Sequence, residues 1–253
     1  MLTPNRELKA AARQAMDGYW WSAMGLLVIL LLYIVLVAVF TLGIGNLFLF
    51  PPVIIGYYLF FLKRAKGQDA SIGDLFIPFR YYGKAFLTYL LYSIIMLLAA
   101  SISLILLYMW FISTGLSFHD LFSNSNPSTV ALVGNPDFLS FAYLFLLIPI
   151  YFSLRLSMIY FILNDNPNLP ADKVIGLSWK LTRGAELKLL GLLLSYILWY
   201  IVIILTFFIA ALYVIPYLSA ALAMFYLDLK KNSTYGQEID NYGKEIVYEA
   251  IPE

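Results

Sequence analysis

Six runs of roughly 20 apolar residues occupy most of this chain, each about long enough to cross a bilayer as a helix. They lie near 22–42, 47–63, 85–112, 139–163, 187–208 and 211–229. In hydrocarbon a segment must satisfy its own backbone hydrogen bonds, which leaves helices or a closed barrel. Continuous apolar runs without period-two alternation select helices. The expected fold is therefore all-α, a polytopic membrane helical bundle. Composition agrees, since 62% of residues are hydrophobic and 12% charged, against roughly 45–50% and 25% in soluble domains. The connections 43–46 and 209–210 are very short, so the six transmembrane helices read as three helical hairpins.

The first run follows Arg6, Lys9 and Arg13, as the hydrophobic region of a signal peptide would. It is longer than the roughly 7–15 residues of such a region, and it reads as a retained first span. Sorting the cations by connection then orients the bundle. Fifteen of the sixteen lysines and arginines fall before the first span, between the second and third, between the fourth and fifth, or after the sixth. The opposite connections, including the long loop 113–137, carry none. By the positive-inside rule both termini are expected to be cytoplasmic. Acidic and basic residues nearly balance, 15 against 16, so nothing points to a nucleic-acid partner. The expected partners are membrane lipids, with a membrane protein or a second copy as further candidates.

Three segments ahead of the odd-numbered spans read as amphipathic helices lying in the cytoplasmic interface. In the first, Leu8, Ala11, Ala12, Ala15 and Met16 follow the spacing of one helical stripe. In the second, Ile72, Leu75, Phe76 and Phe79 do so, with Ser71 and Asp74 in the form of a capping box. The third starts at Pro170, taken as the first helical position, and sets Val174, Leu177 and Leu181 against Asp172, Lys173 and Lys180. The alternative is that these are connectors packed on the bundle. Prolines recur in each returning helix as Pro51 and Pro52, Pro149, and Pro216, and are expected to interrupt those helices near their outer ends. Pro4 precedes Gly18 by 14 residues, as Pro170 precedes Gly184. The chain thus reads as one membrane domain, 1–231, in three parallel units, 1–66, 67–166 and 167–231. An acidic cytoplasmic tail, 232–253, follows, expected to be flexible or partner-binding.

Few residues suit chemistry. There is no cysteine, and one histidine, His119, adjoins Asp120 in the external loop, too little for a metal site or a catalytic triad. Serines within spans, such as Ser93, Ser101, Ser103 and Ser195, lack a base at sensible depth and read as packing residues. No cofactor and no enzymatic activity are expected. Arg155 is the one cation inside a span. With Asp165 and Asp228 assigned to the cytoplasmic surface and Asp137 to the outer one, no carboxylate lies at its depth. It either snorkels to headgroups or, with Ser153 and Ser157, grips an anion or lipid headgroup.

The stretches "DNP" at Asp165–Pro167, "SWKLTRG" at Ser178–Gly184, "LSYILW" at Leu194–Trp199, "IPYLSAALAMFYLDL" at Ile215–Leu229 and "ELKAAARQAMDGYW" at Glu7–Trp20 together resemble the bacterial integral membrane family known as domain of unknown function 975. That family is similar in layout to the membrane domains accompanying some glycerophosphodiester phosphodiesterases. The resemblance implies a six-helix plasma-membrane protein and supplies no catalytic residues. The leading functional expectation is a non-enzymatic module that binds lipid or a small amphiphile. An accessory or self-protection subunit, and a solute transporter or channel, are the alternatives.

Overall fold

The computed structural model describes residues 2–113 and 136–249. Among these the chain is helical and without strands, and six stretches are long and apolar enough to cross a membrane. The protein is a multi-pass membrane protein. Its elements are α1 (Asn5–Ala15), α2 (Trp20–Thr41), α3 (Ile44–Ala65), a 3-10 helix (Ile72–Tyr81), α4 (Tyr82–Ser113), α5 (Pro136–Arg155), α6 (Ile159–Asp165), α7 (Ala171–Leu181), α8 (Glu186–Leu194), α9 (Ile197–Leu205), α10 (Ala211–Lys231) and α11 (Thr234–Glu249). Contacts divide the chain into two units, Met1–Leu91 with Arg155–Glu253, and Tyr92–Leu154. The external loop, with His119 and Asp120, lies outside the described residues.

The first unit is built on α3 and α10. α3 packs against α2, α6, α10 and the 3-10 helix, and α1 lies along α10. α1 and α7 bury the apolar stripes expected of them, Leu8, Ala12 and Met16 in one and Val174, Leu177 and Leu181 in the other. Both are therefore packed on the bundle. Pro170 is the N-cap rather than the first helical residue, with ψ at 152°, as is Pro4, with ψ at 144°. The proline ring fixes φ while ψ stays extended, so the helix begins one residue later than the sequence suggests.

The two lead-ins share more than prolines. Met16 N donates to Ala12 O, Asp17 N to Gln14 O, Tyr19 N to Met16 O and Ala23 N to Tyr19 O; Thr182, Arg183, Ala185 and Leu189 repeat all four bonds 166 residues later. Gly18 and Gly184 then take left-handed φ values of 75° and 80°, a region open to glycine at little steric cost, and turn the chain into α2 and α8. The far turns match as well. Gly43 N donates to Ala38 O and Phe208 N to Ile203 O, both at 2.8 Å, the bond that closes a helix C-terminus in a Schellman turn. Thr41 Oγ1 donates to Val37 O and receives Gly45 N; Thr206 Oγ1 donates to Val202 O and receives Ala210 N.

The middle lead-in differs. Its helix is 3-10 over Ile72–Tyr81, closed by the expected capping box, in which Ser71 N donates to the Asp74 carboxylate at 2.9 Å. A 3-10 helix repeats every three residues, which puts Leu75 and Pro78 together on the buried face and leaves Phe76 off it, exposed; Ile72, at the first residue of the helix, is exposed as well. The stripe Ile72, Leu75, Phe76 and Phe79 read at α-helical spacing does not form. Gly56 of α3 makes this packing feasible, because a Cβ there would lie 2.2 Å from Leu75 O.

The prolines do not interrupt their helices. Pro51 and Pro52 sit in α3, Pro149 in α5 and Pro216 in α10, and each helix runs through them. A helical proline orphans the carbonyl four residues before it, and neighbouring hydroxyls serve two of these. Tyr82 Oη donates to Phe48 O at 3.1 Å, opposite Pro52. Within the second unit, Ser103 Oγ of α4 donates to Phe145 O of α5 at 2.8 Å, opposite Pro149. The breaks fall elsewhere, at 156–158 between α5 and α6 and at 195–196 between α8 and α9. The runs 139–163 and 187–208, read as unbroken helices, are thus each two.

Candidate functional site

Arg155 ends α5, 3% exposed. Its Nη1 donates to Glu186 Oε1 at 2.6 Å, and its guanidinium lies 4.4 Å from the centre of the Trp179 ring. The expectation that no carboxylate reaches its depth is thereby overturned. Glu186 follows Gly184, whose left-handed turn brings the first turn of α8 back beside Arg155. A carboxylate there is favoured by the helix dipole, and a fork-shaped cation suits it. α5 stops at Arg155, and Ser178 Oγ and Thr182 Oγ1 donate to its carbonyl at 2.9 and 3.1 Å. Ser153 is exposed and Ser157 half-buried. The hydroxyls that reach this carbonyl are those of Ser178 and Thr182. The interruption of the span is fastened on both of its polar faces, side chain and carbonyl.

A second cluster gathers around the stretch Asn164–Asp165–Asn166. Asp165 accepts from Lys66, from Lys230 and, at 2.8 Å, from Tyr226 Oη. Asn164 donates to Ile55 O at 2.8 Å and accepts from Tyr81 Oη at 3.0 Å. Asn166 donates to Ile239 O of α11 at 3.1 Å, and Lys230 bridges Asp165 to Asp240. One short polar stretch therefore binds α3, the 3-10 helix, α10 and α11. The start of the acidic tail is consequently a docked helix with Ile239 buried, not a flexible segment.

Other ion pairs close the same end. Lys63 meets Asp74 at 2.6 Å, and Asp228 receives Thr3 N and Oγ1 at 2.8 and 2.6 Å. Arg64 donates twice to Ala15 O, at 3.0 and 2.8 Å, and its guanidinium stacks 3.6 Å from the Tyr19 ring centre. The Tyr19 hydroxyl donates to Asp69, which pushes its pKa up, the Asp69 charge adding to the shift and Arg64 opposing it. Residues from both ends of the chain, Thr3 and Asp228, thus meet at the end that holds Lys66, Asp165 and Lys230.

Around that end the exposed surface mixes large apolar and cationic side chains. Trp21 and Leu187, at matching positions just after Gly18 and Gly184, are 86% and 84% exposed. Exposed Arg6 and Arg13 accompany the first, and exposed Lys173, Lys180 and Arg183 the second. The sequence reading missed Glu186, Trp179, Ser178, Thr182 and the asparagines flanking Asp165. "DNP" and "SWKLTRG" hold most of these residues.

No curated protein and no solved structure matches the chain. A family model described as "Protein of unknown function (DUF975)" matches residues 1–233, and the chain belongs to that family.

Proposed function

We propose that this protein is a non-enzymatic membrane module that holds anionic lipid, or a similar amphiphile, at the cytoplasmic rim of a bacterial plasma membrane, with both termini in the cytoplasm. The observation that carries this reading is the doubled rim motif, a largely exposed Trp21 or Leu187 three residues after a left-handed glycine and close in sequence to exposed cations. An apolar side chain at the start of a span inserts among acyl chains, while neighbouring cations meet negative headgroups, each adding about 1 kcal/mol near an anionic surface. The charges inside the bundle support a structural rather than a chemical role, because Arg155 pairs with Glu186, and Asp165 with Lys66 and Lys230. General acid–base work needs titratable groups poised toward a reactant, and these are committed to one another. The test is native mass spectrometry of the full chain released from nanodiscs of mixed phosphatidylcholine and phosphatidylglycerol. Retained lipid enriched in phosphatidylglycerol, and less so in Arg6→Gln/Arg13→Gln, is the expected result. Lipid retained in the ratio supplied would overturn the reading.

A further inference from the structure

At the third lead-in the chain leaves a hollow of about 340 Å³ between the α7–α8 joint and the α10–α11 joint. Its polar lining is Lys180, Arg183, Asn232, Ser233 and Tyr235, its apolar lining includes Leu181, Ala185 and Leu229, and no carboxylate among the described residues lines it. The reason for the hollow is visible by comparison with the first lead-in, where the backbone is the same. There Tyr19 stands at the matching corner, with Arg64 stacked on it at 3.6 Å, and the first lead-in has a smaller hollow of about 240 Å³ beside Gln14, Ala15 and Arg64. At the third lead-in the matching residue is Ala185, and the space stays open. Two more matched positions change in the same sense, since Gln14 is replaced by Lys180 and Asp17 by Arg183. One acid is lost and two bases are gained on an unchanged backbone.

We propose that this hollow binds the phosphate group of an anionic ligand, carried by a lipid or by a free phosphorylated compound. The proposal deepens the lipid reading and rests on it for the lipid source. Arg183 makes no ion pair or side-chain hydrogen bond among the described residues, so its guanidinium is available to grip two phosphate oxygens. Lys180 Nζ lies 5.5 Å from the Tyr235 ring centre and is exposed, a position from which a flexible stem carries a point charge to the same anion. Ser233 Oγ accepts Tyr235 N at 3.2 Å, which leaves its own proton to donate. Leu181, Ala185 and Leu229 provide the apolar wall that a glycerol backbone or the first carbons of an acyl chain would meet. Glu238 and Asp172 face the neighbouring hollow on the other side of Lys180, and Asp228 is turned to Thr3 and Lys188. The wall formed by α11 is held tightly, because a Cβ at Gly236 would lie 1.9 Å from Lys230 O.

The experiment uses the full chain in phosphatidylcholine nanodiscs doped with phosphatidic acid, with retained lipid counted by native mass spectrometry. Wild type retains phosphatidic acid preferentially, and Lys180→Gln/Arg183→Gln lowers that retention about tenfold, the loss of roughly one charge-assisted contact in net terms. Ala185→Tyr, which installs the side chain the first lead-in already carries on this backbone, lowers it equally. Arg80→Gln, an exposed cation away from the hollow, does not. Competition by inorganic phosphate identifies a free anion as the ligand, and its failure to compete identifies the lipid; either result supports the site. Wild-type retention in both hollow variants overturns the site. If Arg6→Gln/Arg13→Gln still lowers retention in that case, the rim reading survives without the hollow; if wild type shows no preference for phosphatidic acid, both fall.

Discussion

The first and third lead-ins of this protein use one backbone for two chemistries. α1 with Gly18 and α7 with Gly184 share caps, turn bonds and left-handed glycines at a constant 166-residue offset, Met16 to Thr182 and Gly18 to Gly184. Their side chains diverge where the backbone places no demand. Trp20, stacked on Tyr213 at 4.7 Å, becomes Glu186, which pairs with Arg155; Ala12 and Met16 become Ser178 and Thr182, whose hydroxyls hold the Arg155 carbonyl. At these positions the first lead-in packs, and the third makes polar bonds to a broken span. The difference teaches that the interruption at 156–158 and the polar face of α7 belong together, since each supplies what the other lacks.

The largest effect expected is at Arg155. Arg155→Met strands Glu186 beside apolar surface, and removing one partner of a buried pair costs about 3–5 kcal/mol. The lower end applies, since the Glu186 side chain is 23% exposed and its charge is partly solvated. Detergent unfolding midpoints should show that loss, and Arg155→Met/Glu186→Met should recover most of it. Failure of the double variant to recover would mean that the pair does more than neutralise itself. At the matching position of the first lead-in, Trp20→Leu should cost only packing, about 1 kcal/mol.

Next comes the middle lead-in, which shares neither the α-helix nor the left-handed glycine. Gly56→Ala places a methyl group 2.2 Å from Leu75 O, and relief requires the 3-10 helix to move, at about 1–3 kcal/mol. A smaller effect should separate the three lead-ins by sign. Gly18→Ala and Gly184→Ala force a Cβ into left-handed backbone at about 1–2 kcal/mol each. Gly83→Ala, at a helical position of α4 with nothing within 4 Å of its Cβ, should be neutral or stabilising by up to about 1 kcal/mol. Three equal losses would dissolve the distinction between the outer lead-ins and the middle one.

Element existence was legible because apolar length is a strong signal. Six spans, the stripes of α1 and α7, the Ser71–Asp74 capping box and the Pro–Gly spacing were all open to a reader of the sequence. What was not legible depends on the chain's return in space. Glu186 sits in a connection rich in charge and looks like a surface residue until Gly184 turns it back beside Arg155. The second stripe misled because apolar residues at three- and four-residue spacing fit both helix types, and contact with Gly56 selects the 3-10 form. Prolines were given the breaks because proline is the usual cause. Here hydroxyls of Tyr82 and Ser103 serve carbonyls that proline orphans, and the break at 156–158 falls where the hydroxyls of Ser178 and Thr182 offer the Arg155 carbonyl a partner.

The smallest effect concerns the far turns, where the first and third helix pairs agree most closely. Thr41 and Thr206 each bridge the end of one helix to the start of the next, and the following amide belongs to Gly45 in one and Ala210 in the other. A Cβ at Gly45 would lie 2.6 Å from Thr41 Oγ1, which taken alone marks glycine as obligatory. The third turn shows the escape, because Ala210 N reaches Thr206 Oγ1 at 3.1 Å where Gly45 N reaches Thr41 Oγ1 at 2.8 Å. A relaxation of that size accommodates the methyl group without loss of the bond. Gly45→Ala should therefore change the unfolding midpoint by no more than a neutral surface substitution, within about 0.5 kcal/mol. Thr41→Val and Thr206→Val should each cost about 1 kcal/mol, the net value of a hydrogen bond, and by the same amount. A clearly larger loss at Gly45 than at Thr41 would show that the two turns share hydrogen bonds without sharing the freedom to adjust them.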